Sequence, residues 1–492
     1  MNADGPGATL ASTTGRGIVF AAVLGSSMAL LDGTVVNVAL PHIGKDLAAG
    51  ITGLQWTVNG YTLTLASLVL IGGALGDRFG RRRVFLIGVA WFGLASALCG
   101  AATDIGTLIA ARALQGIGAG LLTPGSLALI QASIRTKDRA AAIGAWSGLG
   151  GVAAAAGPFL GGWLVDAFSW RWVFLINIPV VIGCLAATLR WVPETRDTGV
   201  TGRFDLAGSV LGAVFLGGIT FALVQVESGL PALISAMVGI VAGIGCLLVE
   251  RRVGQPVLPP SMFADRQFSA INVVTFFVYA SLGGVMFFLV MQLQVVSHYT
   301  AFQAGITMLP FTALMLMFSA KSGRLGDRIG PRLPLTVGPL VSGVGVTLLL
   351  GVDLYAPYWT HVFPGVLMLS VGMTLTVAPL TAGVLAATDT AHAGIASGIN
   401  NAVARAASLL SVAALPPLAG LTGAAYNDPL EFRAGYRIAI MVCAGLFVAA
   451  AIVGFALVRN PGKKPVVRPA ARTSCPYNAP QLDPGRTDRR QT

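Results

Sequence analysis

The sequence predicts an all-α integral membrane protein that crosses the bilayer fourteen times. Of its 492 residues, 55% are hydrophobic and only 11% charged. The apolar residues gather in runs of about 18 to 25, the length a helix needs to span a bilayer. An eight-residue polar motif that begins at Gly73 recurs at Gly323, so the chain carries an internal repeat.

The first run, residues 17–40, follows a start whose only basic residue is Arg16. It is longer than the roughly 7 to 15 apolar residues of a cleavable signal, and is expected to stay as an anchor. Runs at 55–76 and 84–102 flank the basic cluster Arg78 to Arg83, and runs at 106–131 and 140–165 flank Arg135 to Arg139. Spans at 171–190 and 206–226 enclose Arg190 to Arg203, and those at 231–249 and 270–293 enclose Arg251 to Arg266. Residues 303–320 and 333–352 flank Lys321 to Arg332; spans at 362–385, 396–420 and 437–458 complete the set before a basic, Pro-rich tail. With the N-terminus inside, 26 of the 32 Lys and Arg fall on the cytoplasmic side. Cytoplasmic loops retain such residues, so the asymmetry predicts a multi-pass inner (plasma) membrane protein with both termini cytoplasmic. The net charge of +12 is then a topology signal and a basic face toward anionic headgroups; no nucleic-acid partner is expected.

Gly73-Ala-Leu-Gly-Asp-Arg-Phe-Gly80 follows the second span, and Gly323-Arg-Leu-Gly-Asp-Arg-Ile-Gly330 the tenth. Units of six helices that each carry one copy at the second helix leave spans 7 and 8 as an insert. The expected domains are residues 1–195, the inserted pair 196–256, residues 257–460, and a disordered basic cytoplasmic tail, 461–492. Two matching halves around a midplane site suit alternating access, in which one half rocks against the other.

Further motifs are Leu31-Asp-Gly-Thr-Val-Val-Asn-Val-Ala-Leu-Pro41 in span 1, Arg112-Ala-Leu-Gln-Gly-Ile-Gly118 in span 4 and Gly157-Pro-Phe-Leu-Gly-Gly162 in span 5. Together with the repeated loop they resemble the major facilitator superfamily. More narrowly they are similar to its fourteen-helix drug:proton antiporter branch, the EmrB/QacA type, over residues 17 to about 460. The resemblance implies the major facilitator fold, with two six-helix halves plus two inserted helices, and multidrug efflux driven by protons. After Arg405 the chain departs from the pattern, with Ala-Ala-Ser-Leu-Leu-Ser411 where relatives are glycine-rich.

Asp32 is the only acid well inside a span, about 5 Å outward of its midpoint at 1.5 Å per residue. Burial raises a carboxyl's pKa and a nearby cation lowers it, so a balanced group can load and release a proton; the alternative is a hydrogen bond that only fixes packing. Arg112 shares its depth range, and the resemblance implies a part in proton transfer; a static ion pair is the other reading. The resemblance assigns cytoplasmic gating to Gly73, Asp77, Arg78, Gly80, Arg81, Asp327 and Arg328, whose arginines also set topology. Gly157, Pro158, Gly161 and Gly162 put small residues on one helix face with a broken backbone hydrogen bond, permitting close contact and a bend. Their link to export rests on the resemblance. Cavity candidates are Asn37, Tyr61, Gln115, Gln292, Gln294, Asn400 and Arg405, although interhelical hydrogen bonding accounts for any one of the uncharged ones.

His42, His298, His361 and His392 lie at loops or span ends, and Cys99, Cys184, Cys246, Cys443 and Cys475 have neither paired nor metal-like spacing. No metal, no cofactor and no catalytic constellation is expected, and without a phosphate-binding loop the driver is an ion gradient. One proton crossing 100 mV supplies about 2.3 kcal/mol, roughly a fifty-fold gradient of a neutral cargo. The expected cargo is therefore a small, neutral or singly charged amphipathic molecule, carried by a monomer. A dedicated exporter of one metabolite, such as an antibiotic or siderophore, and a non-transporting membrane sensor or scaffold are the competing readings.

Overall fold

The computed structural model describes residues 7–196, 205–253, 259–388, 393–421 and 428–460. Long helices dominate them: α1 (Thr13–Asp46), α2 (Ile51–Phe79), α3 (Arg81–Gly100), α4 (Ile105–Ser133), α5 (Thr136–Ala167), α6 (Trp172–Trp191) and α7 (Leu206–Val224). There follow α8 (Leu230–Glu250), α9 (Arg266–Val295), α10 (Ala301–Ile329), α11 (Pro334–Gly351), α12 (Tyr358–Ala386), α13 (Ala393–Leu418) and α14 (Pro429–Leu457). Thirteen are individually long and apolar enough to cross a membrane; α2, bent by 47° between Val69 and Ile71, completes fourteen. The glycine pair Gly72 and Gly73 sits beside this bend. At Gly72 a Cβ would lie 2.2 Å from the Gly120 carbonyl oxygen, so only glycine lets α2 and α4 touch there.

Six of the helices begin at a polar cap. Ser12, Asp104, Asp205, Asp265 and Asp428 each accept a hydrogen bond from a first-turn N–H, and Thr300 with Gln303 forms a capping box. The first span continues past Pro41 to Asp46, and the second runs helically through the whole first polar motif to Phe79. The two repeated motifs are thus helix ends rather than loops. Only Gly80 (φ +110°) and Gly330 (φ +83°) make the turns, in the left-handed region that favours glycine.

The packing repeats with the sequence. α1 packs on α5 and α6, α2 on α4, and α3 on α4 and α6; eight helices later α9 packs on α13 and α14, α10 on α12, and α11 on α12 and α14. Even the close approaches recur: Gly73 faces Pro124 of α4, and Gly323 and Gly326 face Ala378 and Pro379 of α12. α7 and α8 pair with each other, and α7 leans on α2 and α13. Where α13 lacks glycines, its partner supplies them, since a Cβ on Gly283 or Gly284 of α9 would run into Ser408 or Leu415. Residues 7–459 belong to one compact unit. The expected tail, 461–492, and His392 lie outside the described residues.

The bundle is apolar on its outer surface as well as in its core, and it buries a small set of polar side chains. Leu94, Leu233, Val241, Ile244, Met441 and Ile452 point outward and exposed, whereas Asp32, Asn59, Arg112, Gln115 and Asn177 are buried. Exposed apolar surface on such a scale belongs against lipid, where a helix can satisfy its backbone groups internally.

Candidate functional site

The fully buried Asp32 and Arg112 meet between α1 and α4, with the guanidinium Nη1 donating to Asp32 Oδ2 at 2.5 Å. Gln115, one turn from Arg112, lies between them: its Nε2 donates to Asp32 Oδ1 at 2.8 Å, and its Oε1 accepts from Arg112 Nη1 at 2.6 Å. Arg112 Nε donates to the Thr57 carbonyl of α2 at 3.1 Å. The Tyr61 ring packs 4.3 Å from the guanidinium carbon, while its hydroxyl donates to the Ala29 carbonyl.

Two residues that sequence reasoning missed complete this cluster. Ser96 of α3 accepts from Gln115 Nε2 at 3.1 Å and from Asn177 Nδ2 at 3.0 Å, and Asn177 of α6 also donates to Asp32 Oδ1 at 3.4 Å. The carboxylate therefore accepts from three side chains contributed by two helices. A buried charge persists in such a setting because its pairing and hydrogen bonds offset the loss of water. Nothing singles out Ser96 or Asn177 in the sequence, where each resembles any polar residue of a membrane helix.

The first polar motif ends α2 with an i, i+4 ion pair, Arg81 Nη2 to Asp77 Oδ1 at 2.7 Å. Gly80 is clasped from outside by Glu194, whose carboxylate accepts from the backbone N–H of Arg82 and Arg83 at 3.1 and 3.2 Å. Arg82 Nη2 donates to the Leu189 carbonyl, which ties the turn to the end of α6. Arg78 lies beside the Phe79 ring. Asp327 and Arg328 occupy the same places at the end of α10 and are exposed.

Around Gly157 and Pro158 the helix is continuous, and its small residues form a seam. A Cβ at Gly157 would lie 2.1 Å from Thr34 Oγ1, at Gly161 2.5 Å from Val35 Cγ2, and at Gly162 2.5 Å from the Ala301 carbonyl oxygen. α5 thereby touches α1 on one side and α10 on the other. Asp166, one turn on, caps α10 by accepting from the N–H groups of Ala301 and Phe302.

The expected cavity residues fall into separate groups. Tyr61 and Gln115 belong to the Asp32 cluster. Gln292 donates to the Val352 carbonyl and Gln294 to the Val38 carbonyl, both at the bundle end opposite Asp77. Gln294 also lines a cavity of about 400 Å³ with His42, Lys45 and Asp166. Asn400 Nδ2 donates to Asn272 Oδ1 and Thr275 Oγ1 of α9, while Asn37 and Arg405 are half-buried. An apolar cavity of about 530 Å³ is lined by residues of α2, α7, α8 and α13.

Fourteen spans, a repeated packing pattern and a sequestered charge pair define a multi-pass membrane transporter of small molecules rather than an enzyme. The family model described as Major Facilitator Superfamily matches residues 22–412, and the chain belongs to that superfamily. It is 34% identical over 447 residues to puromycin resistance protein pur8 of Streptomyces alboniger, covering 88% of this chain and 89% of that one. It is 35% identical over 450 residues to the methylenomycin A resistance protein of Bacillus subtilis (strain 168), with 90% and 94% covered. Multidrug resistance protein Stp of Mycobacterium tuberculosis (strain CDC 1551 / Oshkosh) shares 34% identity, with 80% and 73% covered. Among solved structures the fold is similar to a bacterial homologue of the human lysosomal transporter Spinster in an inward-facing, unoccupied conformation. That likeness has a TM-score of 0.62 at 16% identity, over 92% of this chain and 100% of the other.

Proposed function

We propose that the protein exports small lipophilic or amphipathic compounds from the cytoplasm in exchange for protons. The observation that carries this reading is the fully buried Asp32 and Arg112 pair, a titratable carboxylate and a permanent cation in one hydrogen-bonded cluster. Protonating Asp32 removes the partner of Arg112 and changes the balance of the whole cluster, which is the electrical event a proton-coupled cycle needs. The names of the relatives, for resistance to puromycin, methylenomycin A and multiple drugs, support outward transport of drugs or antibiotics.

In this reading the bundle end with Asp77 and Arg81 faces the cytoplasm of a plasma-membrane protein, as do both termini. Residues 1–195 and 257–460 are the moving halves, with 196–256 inserted between them. Asp77, Arg78, Arg81, Asp327 and Arg328 with Gly73 and Gly80 latch and release the cytoplasmic gate, and the turn at Gly80 adds Glu194 to that set. Gly157, Pro158, Gly161 and Gly162 hold the opposite end closed against α10. Two of the relatives are named for a single antibiotic, which favours a narrow cargo range as the second reading.

The test is the purified protein in liposomes that enclose a pH-sensitive dye, with an imposed proton gradient and a panel of lipophilic acids, cations and neutral drugs. Cargo-evoked proton flux that disappears in Asp32→Asn supports antiport through Asp32. Flux that survives the substitution removes Asp32 from that role, and a response to one compound alone selects the narrow exporter.

A further inference from the structure

We infer that the cargo carries an anionic group and that Arg405 holds it; this rests on the export reading above. Arg405 stands near the middle of α13, with at least a dozen residues of helix on either side, or about 18 Å at 1.5 Å per residue. It is half-buried, and the ionisable groups in its electrostatic reach are the phenols of Tyr61 and Tyr279. Among the described residues no carboxylate pairs with it and no hydrogen bond satisfies it. Asn400, five residues earlier on α13, is already engaged with Asn272 and Thr275 of α9. An unpaired guanidinium at midplane depth is costly, and where it persists it marks a pathway or a ligand site. Arg112, by contrast, is paired with Asp32 and hydrogen-bonded to Gln115 and the Thr57 carbonyl.

The facing helix offers a second unsatisfied group. Gln55 of α2 donates to the carbonyls of Val412 and Ala413, which sets the register between α2 and α13. One turn further along α2 is Asn59, fully buried, with neither amide atom hydrogen-bonded. The two helices run antiparallel, so this register brings Asn59 within about 5 Å of the level of Arg405 along the helix axes. Buried amides without partners are rare in folded proteins and call for an occupant.

Charge counting gives the sign of that occupant. With Asp32 ionised, the group formed by Asp32, Arg112 and Arg405 carries one net positive charge; with Asp32 protonated it carries two. A cation meets repulsion in both states, whereas a monovalent acid is attracted in both. Export of such an anion against one proton moves two charges down the potential, enough for a gradient of roughly two thousandfold at 100 mV. The assigned class is an amphipathic organic acid.

The experiment uses the full chain in phosphatidylcholine nanodiscs, which exclude an anionic headgroup as the occupant, and no pH gradient, so that a failure of proton coupling leaves its readouts intact. Gly33→Cys provides the reporter. Gly33 is exposed beside Asp32, with nothing within 4 Å of where a Cβ would stand. Asn401→Cys, exposed on α13, is the second reporter. Rates of modification by an anionic sulfonatoethyl and a cationic trimethylammonioethyl methanethiosulfonate are each divided by the rate with a free thiol. The parent chain, four of whose cysteines are buried, gives the blank. The expected preference for the anion is about tenfold, lost in Arg405→Gln and kept in Arg405→Lys. 2-Naphthylacetate is expected to protect the reporter at about tenfold lower concentration than 2-naphthylacetamide, again only with a cation at position 405. A preference for the cationic reagent, a ratio unchanged in Arg405→Gln, equal protection by the amide, or no protection by the acid overturns the assignment. Addition of phosphatidylglycerol that blocks modification as fully as the acid does would reassign the site to a lipid.

Discussion

Removing one member of the Asp32 and Arg112 pair should cost far more stability than removing both. In Asp32→Asn the guanidinium, 1% exposed, keeps only Gln115 Oε1 and the Thr57 carbonyl as acceptors. The single oxygen of the substituted side chain can still accept from Gln115 and Asn177, but its amide nitrogen then confronts the donors of Arg112. A buried cation without its counter-charge costs about 3 to 5 kcal/mol, a factor of a few hundred to a few thousand in the folded to unfolded ratio. Arg112→Gln should cost less, since Asp32 retains two amide donors and escapes its charge by binding a proton. That variant should therefore lose more stability as pH rises, because the carboxylate is the form left unpaired. Asp32→Asn with Arg112→Gln replaces the ion pair by two neutral amides and should recover about 2 kcal/mol of the loss in Asp32→Asn. The assay is unfolding of the four proteins by SDS titration in one lipid-detergent mixture at pH 7, repeated at pH 5.5. If the two single losses add to within about 0.5 kcal/mol in the double variant, the residues do not act as a pair and the reasoning fails.

Gly80→Ala places a Cβ at φ +110° and 2.6 Å from Glu194 Oε1, and should destabilise the turn by about 1 to 2 kcal/mol, read as faster proteolysis at that end of α2. Glu194→Gln keeps an acceptor for only part of the clasp and should give a smaller effect in the same assay. Gly157→Ala should cost about 1 to 3 kcal/mol because its methyl would sit 2.1 Å from Thr34 Oγ1, and Thr34→Ala in the same chain should return most of it; an uncompensated loss by thermal unfolding would refute the contact. Ser96→Ala leaves the Gln115 and Asn177 amides short of an acceptor, at about 1 to 2 kcal/mol, while Cys99→Ser beside it should be nearly neutral.

Periodic features were legible and long-range ones were not. Apolar runs locate every spanning helix, because a bilayer enforces length and hydropathy on each one independently. The repeat at Gly73 and Gly323 marks the two units, and the structure adds that each copy packs alike, α2 on α4 and α10 on α12. Ionisable residues such as Asp32 and Arg112 stand out in an apolar run because their presence there is expensive. Ser96, Asn177 and Thr57 carry no such cost signal, and their convergence on one ion-pair cluster depends on the rotation of three helices about their axes. Helix ends were underestimated for a related reason: Pro41 and the polar run up to Phe79 look like loop by hydropathy, yet backbone hydrogen bonding carries the helix through both. Glu194 lies in a charged stretch that suggests only topology, and its role at Gly80 follows from a fold that brings the end of α6 back to α3.

The charges of the spans are divided unequally between the two repeats. Near mid-span the first holds an acid and a base paired in one network, and the last six helices hold one guanidinium, that of Arg405, with no counter-charge among the described residues. Tyr61 lies between these systems, its ring against Arg112 and its phenol within electrostatic reach of Arg405. In the proposed cycle a proton on Asp32 frees Arg112 to draw Tyr61 and any nearby anion toward α4, while Arg405 pulls the same anion toward α13. The two cations compete for one cargo from opposite sides of the bundle, and the protonation state of Asp32 decides how strongly the first competes. Coupling then needs no direct contact between proton and cargo, only that α2 and α13, joined at Gln55, separate and close with the rocking of the halves. Exchange requires that the halves not rock with proton and cargo both aboard, so the consequence to measure is proton and anion fluxes of opposite direction in the parent protein, with anion binding kept and the evoked proton flux lost in Asp32→Asn. Proton and anion moving in the same direction would refute the exchange reading.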